Sequence, residues 1–200
     1  MSEIRYERLS GAALERALPE LARLRIEVFS DFPYLYEGSQ AYEERYLRTY
    51  AETAGSVIIG ALDGDQLVGA ATALPLAAEP EELRRPVAEA GYDVARVFYF
   101  GESVLQKAWR GRGIGVAFFR EREAWARGQG GFTHACFCGV VRAEDDPRRP
   151  PGHVPLDAFW RKRGFEKLEG ALGTISWRDQ GEEAETAKPM QFWIKRLAGG

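Results

Sequence analysis

Residues Trp109–Ala126 read WRGRGIGVAFFREREAWA. Gly111, Gly113 and Gly115 fall at every second position, Arg110 and Arg112 lie between them, and an amphipathic run follows at once. A tight glycine turn entering a helix leaves unpaired backbone N–H groups at the helix start, an arrangement suited to anions and above all to phosphates. Glycine lets the main chain come close to such a ligand without a Cβ in the way, and the two arginines add positive charge. The spacing is not G-x-x-x-x-G-K-[ST], so a nucleotide triphosphatase loop is excluded. It is not G-x-G-x-x-G either, and the chain does not open with the first βα unit of a dinucleotide fold. The competing reading is a plain glycine-rich turn with solvated arginines. In the run that follows, Ile114, Ala117, Phe118 and Trp125 share one helical face, which predicts a helix packed on a sheet and holding the loop in a fixed direction.

Upstream, "ARVFYFGESVL" (95–105) is rich in β-formers; downstream, "HACFCGVV" (134–141) is the next strand. "EIRYERL" (3–9) and "SVIIGALDGDQLVGAATAL" (56–74) also read as strands, the second with a hairpin turn at Asp63-Gly64. Ala12 to Ala54 is mostly helical, broken by "SDFPYLYEGS" (30–39), and "EPEELRRPVAEAG" (79–91) is a short helix. "LDAFWRKRGF" (156–165) is another short helix with a glycine stop. "GTISW" (173–177) and "MQFWIKRL" (190–197) close the chain as strands around an acidic loop. The order predicts an α/β (α+β) domain spanning residues 1–200, with antiparallel hairpins and one β-loop-α-β unit in the middle.

Composition narrows the function. Of the 200 residues, 45% are hydrophobic, enough to bury a sizeable core, and the formal net charge of -3 argues against nucleic acid as a partner. No apolar run approaches the roughly 18 residues of a membrane helix, and "MSEIRYERLSG" lacks the apolar segment of a signal peptide. A cytoplasmic protein that engages no membrane is expected. Cys136 and Cys138, two apart on a predicted strand, point the same way, so a disulfide would be strained and free thiols are expected. With His134 and His153 as the only histidines, no metal is expected.

"RGRGIG" matches the R/Q-x-x-G-x-G/A signature of the GCN5-related N-acetyltransferases, and the chain resembles that superfamily in element order over nearly its whole length. The strand before the loop, the long helix after it and the later helix ending in Gly164-Phe165 all fit. The resemblance implies a twisted, mostly antiparallel sheet of about seven strands flanked by helices, with its middle strands splayed. It implies acetyl-CoA as co-substrate and transfer of the acetyl group to a primary amine of a small molecule or peptide by direct attack. Arg110, Gly111, Arg112, Gly113, Ile114 and Gly115 would hold the pyrophosphate. Val104, Leu105 and Gln106 would pair with the pantetheine arm, which lies like an added strand beside a bulged strand. A backbone N–H near Val104 would polarise the thioester carbonyl, a donor worth ~3 kcal/mol. Lys107 or Arg112 would meet the 3′-phosphate.

An alkyl ammonium with a pKa around 10 must lose a proton before its nitrogen attacks. Glu102, inside a β-rich run where a carboxylate is costly to bury alone, is the candidate base; the alternative is a structural carboxylate bonded to a neighbouring backbone group or arginine. Many relatives place a tyrosine acid four residues before the Gly-Phe pair, and this chain has Trp160 there. An indole is no practical acid, so Trp160 and Phe159 are instead assigned to packing on the pantetheine arm. Tyr34 and Tyr36, with Glu37, are expected to wall a cationic acceptor, whereas Phe29 and Phe32 fill the core. His153 is a substrate contact or, on general loop behaviour, a surface histidine. A homodimer stays open. The second functional reading is a non-catalytic acyl-CoA sensor on the same fold, which the missing tyrosine favours.

Overall fold

The computed structural model describes residues 3–197. Antiparallel pairings build the first half of its sheet. β1 (Arg5–Arg8), β2 (Val57–Asp63), β3 (Gln66–Pro75) and β4 (Val97–Leu105) pair antiparallel in that order. The turn between β2 and β3 is centred one residue later than the sequence suggests, on Gly64 and Asp65, with Gly64 at φ +59°. β5 (His134–Val140) joins β4 in parallel, and β7 (Thr186–Arg196) and β6 (Glu166–Trp177) complete a seven-stranded sheet in the order β1-β2-β3-β4-β5-β7-β6. The mixed, mostly antiparallel sheet flanked by helices agrees with the expected fold. β6 and β7 are longer than "GTISW" and "MQFWIKRL" suggested, because their exposed ends pair along the hairpin without needing an apolar pattern.

Two apolar layers sandwich the sheet. Helices α1 (Gly11–Phe29), α2 (Gln40–Glu52) and α3 (Glu81–Glu89) cover one face, where Leu14, Leu18, Leu21 and Leu47 pack on Leu74, Tyr99, Val104, Cys136 and Phe192. Helix α4 (Ile114–Gln129) and the short α5 (Asp157–Arg161) cover the other, where Ile114 and Phe118 meet Val68, Phe98, Phe100, Phe137 and Trp193. The connection 30–39 between α1 and α2 falls where the sequence broke its helical pattern.

Candidate active site

The glycine loop occupies the turn from β4 into α4. Gly111 and Gly113 have φ of +77° and +84°, the left-handed region that strains any L side chain, and Gly113 caps α4. Beside both α-carbons lies open space. The first amides of α4 have no partner within the helix, so the loop presents N–H donors at the positive end of a sixteen-residue helix. Those backbone features, and the room next to them, fit a diphosphate. Arg110 Nε donates to Leu105 O at 3.4 Å, and the Arg112 guanidinium stacks 4.5 Å over the Trp109 ring. Lys107 pairs with Asp31 at the end of α1, 3.0 Å away. Neither Lys107 nor Arg112 is therefore an isolated charge.

Next to this loop the sheet opens. β4 and β5 pair only over Val97↔His134, Phe98↔Ala135 and Tyr99↔Cys136, although β4 runs to Leu105 and β5 to Val140. The cause is a β-bulge. Thr72 opposes Glu102 and Leu74 opposes Tyr99, so β4 carries one extra residue around Phe100–Gly101 and bends away. Glycine is required there, since a Cβ on Gly101 would lie 2.7 Å from Thr72 Oγ1 and 3.2 Å from Tyr50 Oη. Ser103 is exposed although β4 is the middle strand of seven.

Strand alternation corrects the sequence reading of Val104. Gln106 N donates to Val68 O at 3.0 Å, and the register is unbroken from Gly69↔Leu105 to Thr72↔Glu102. Antiparallel pairs alternate, so Val104, two residues before Gln106, directs its N–H and C=O at Ala70. The amides of Ser103 and Leu105 point into the opening, and Leu105 O is accordingly free to accept from Arg110. The amide suited to polarise a carbonyl in the gap belongs to Ser103 or Leu105. Val104 itself is a buried core residue.

The bulge also decides where Glu102 goes. Its side chain forms an ion pair with Arg25 of α1, and Arg25 Nε donates to Glu43 Oε2 of α2 at 2.5 Å. Tyr36 Oη donates to the other oxygen of Glu43 at 2.6 Å. One buried guanidinium, its face 4.5 Å over the Tyr46 ring, thus serves two carboxylates, and the cluster has a net charge of about −1. The site carboxylate of the sequence reading is a partnered one.

Glu79 and Tyr99 are groups the sequence reading left unassigned. Burial pushes the Glu79 carboxyl, just after β3, up to about 7, and its charge acts on Tyr46, Tyr50, Tyr99, Cys136 and Cys138. Tyr99 Oη and Cys138 Sγ lie 3.1 Å apart across the apex of the opening. Both cysteines are free and buried; burial pushes Cys138 up to about 12 and Cys136 well above the ordinary thiol range. Such thiols are poor nucleophiles. On the opposite face Phe159 sits where a Cβ on Gly115 would meet it at 3.4 Å, and Trp160 lies 3.1 Å from the corresponding position on Gly139. Both rings join the aromatic cluster of Phe119, Phe137 and Trp193.

A polar clamp ties the α1–α2 connection to the far end of β5. Arg142 donates to Pro33 O at 2.7 Å and Tyr34 O at 2.8 Å, and grips Asp179 with two bonds of 2.8 and 3.0 Å. Arg148 and Lys188 also reach Asp179, at 2.9 and 3.3 Å. Burial pushes the Asp179 carboxyl up, but the bonds from Arg142 and Arg148 outweigh it and hold the pKa below its usual range. The clamp separates the predicted acceptor residues. Tyr36 and Glu37 line a groove of about 400 Å³ with Tyr42, Trp177, Glu183 and Glu185. Tyr34 instead packs on Phe29 and Trp177 with its hydroxyl buried, because Arg142 and Trp177 Nε1 both hold its carbonyl. The His153 ring stands edge-on against Phe32 at 4.8 Å, a contact between the two loops.

Arg25, Glu43 and Arg122 were missed. The signal for Arg122 was present: Ile114, Phe118 and Arg122 are four apart on the buried stripe of α4, but a charged side chain does not declare itself as core. Arg25 and Glu43 lie on the buried faces of α1 and α2 in the same way.

A splayed pair of central strands, a bulge at the split and a glycine turn capping the following helix bring this geometry to one family, and the model of the acetyltransferase (GNAT) family matches residues 21–165. The chain belongs to the GNAT family. Solved GNAT-like structures align over almost all of it. Arabidopsis thaliana NAA60, solved in complex with acetyl-CoA, is 16% identical, with 98% of this chain and 100% of that one covered and a TM-score of 0.64. The ribosomal-protein-alanine N-acetyltransferase of Brucella melitensis is 18% identical over 98% of this chain and 99% of its own, with a TM-score of 0.61. A GNAT-family acetyltransferase of Streptococcus pneumoniae is 13% identical, covering 98% and 100%, with a TM-score of 0.57. At these identities the likeness is one of fold. No curated protein matches the chain in sequence. Membership of the GNAT family supports acyl transfer with acetyl-CoA as co-substrate. Among the described residues no helix is long and apolar enough to cross a membrane.

Proposed function

We propose that the chain is an acetyl-CoA-dependent N-acetyltransferase that moves the acetyl group to a primary amine by direct attack within a ternary complex. The observation that carries this reading is the opening between β4 and β5 beside Gly111 and Gly113. The loop from Arg110 to Gly115 offers amides to the pyrophosphate, and the edge of β4 at Ser103 and Leu105 offers main-chain donors and acceptors to the pantetheine arm. Phe159 and Trp160 back the opening from the α4 side. A donor amide at the reacting carbonyl stabilises negative charge as it develops there. The acceptor enters from the groove of Tyr36, Tyr42 and Glu37, whose carboxylates and rings suit an ammonium. Its proton passes to Glu102, directly or through water; Glu79, with its carboxyl pushed up to about 7, is the second carboxylate on that face with suitable chemistry. A thiolate with a pKa near 8.5 leaves without an assigned acid.

The second reading is an acyl-CoA sensor without turnover. Trp160 in place of a tyrosine acid and the pairing of Glu102 with Arg25 favour it. The two separate in one experiment: acetyl-CoA binding by calorimetry, then release of free CoA thiol over a panel of amines. Binding with amine-dependent release is expected. Binding without release over the panel identifies the sensor, and absence of binding overturns both.

A further inference from the structure

Arg122 is 2% exposed, and among the described residues no carboxylate lies within ion-pair distance of it. An uncompensated buried cation is expensive, so its surroundings must supply the compensation. From α4 its guanidinium enters the seam of β3 and β4 at the bulge. Nη1 donates to Glu102 O at 3.0 Å and Thr72 O at 3.4 Å, Nη2 to Ser103 Oγ at 2.9 Å, and Nε to Phe118 O at 3.2 Å. The faces of Phe100 and Phe119 lie 4.4 and 4.9 Å from it. Burial lowers its pKa to about 9, which leaves it a cation at neutral pH.

The Glu102 carbonyl and the Ser103 N–H belong to one peptide unit. The carbonyl accepts from the cation, and by strand alternation the N–H points into the opening. A peptide whose oxygen is bonded to a cation is polarised, and its N–H becomes a stronger donor. We propose that Arg122 is a positioning residue: it fixes the Glu102–Ser103 peptide at the bulge and strengthens the Ser103 amide as the donor to the thioester oxygen. The proposal rests on acetyl transfer in this opening. It explains why a charge stands on the apolar stripe of α4 beneath the segment of β4 that parts from β5 while staying paired with β3.

The test is the 13C resonance of acetyl-CoA labelled at the acetyl carbonyl and bound to the full chain. In the wild type, polarisation moves the bound resonance downfield of free acetyl-CoA. In Arg122→Gln the displacement shrinks and kcat falls roughly tenfold or more, short of the 10²–10³ that losing a whole donor costs. CoA, which lacks the carbonyl, keeps its affinity. Arg122→Lys, which retains the charge, restores part of the displacement. A merely structural arginine would change melting temperature and not the carbonyl resonance, so an unchanged displacement in a folded Arg122→Gln overturns the proposal. If that variant does not fold, Ser103→Pro removes the donor without taking a bond from β3, and full displacement there overturns it equally. A wild type with no bound resonance would overturn acetyl transfer itself, an outcome distinct from the others.

Discussion

Tyr99 and Glu102, three residues apart on β4, present their side chains to the same face of the sheet. Tyr99 packs in the layer under α1 and α2, and Glu102 pairs with Arg25 of α1. In a regular strand an odd separation puts two side chains on opposite faces; the extra residue at Phe100–Gly101 reverses the parity. Without it Glu102 would face α4, on the side of Phe100.

Glu102→Gln is expected to lower kcat at least tenfold with acetyl-CoA affinity nearly unchanged, since the Glu102 side chain faces α1 and the glycine loop caps α4 on the other face of the sheet. The pH dependence of kcat/KM decides its role. An acid limb identical to wild type would leave Glu102 as a structural partner of Arg25.

Gly113→Val is expected to weaken acetyl-CoA binding about tenfold or more. The position has φ +84°, and forcing a β-branched residue there costs of order 1–3 kcal/mol, either in stability or in a rearranged loop whose amides no longer converge. Titration calorimetry measures it. Equal affinity would remove the loop as the pyrophosphate seat.

Glu79 should leave a mark on stability against pH. Its carboxyl rises from the ordinary 4.5 to about 7 on folding, so the folded chain binds the proton more tightly than the unfolded one. Glu79's contribution is therefore full below about 4.5 and is lost as pH climbs through about 7, by up to about 3 kcal/mol. Glu79→Gln should flatten that part of the curve in denaturant titrations at pH 4.5 to 8. A slope equal to wild type would place the Glu79 carboxyl in water.

Asp179→Ala leaves the buried Arg142 without its carboxylate, while Arg148 keeps Asp146 and Lys188 keeps Trp177 O and Thr186 O. Breaking a buried ion pair on one side costs roughly 3–5 kcal/mol, and the connection 30–39, held by Arg142 at Pro33 and Tyr34, should become the first site of proteolysis. A chain cut elsewhere first would show that this connection is held by its own packing.

The sequence alone determined what depends on neighbours along the chain. The glycine loop was legible because Gly111 and Gly113 serve a local need, positive φ at the mouth of a helix. The helix and strand order was legible because apolar residues repeat at 3.6 or 2. Glu102 was recognised as unusual because a carboxylate inside a β-rich run needs a partner. The partner itself, Arg25, lies 77 positions earlier on another element. Only the tertiary structure placed one extra residue opposite Thr72, turned Glu102 toward α1, aimed the amides of Ser103 and Leu105 rather than Val104 into the opening, and buried Arg122 beneath them. Each of these depends on which strand edge faces which neighbour, a property of register, and register is set by packing across the whole sheet.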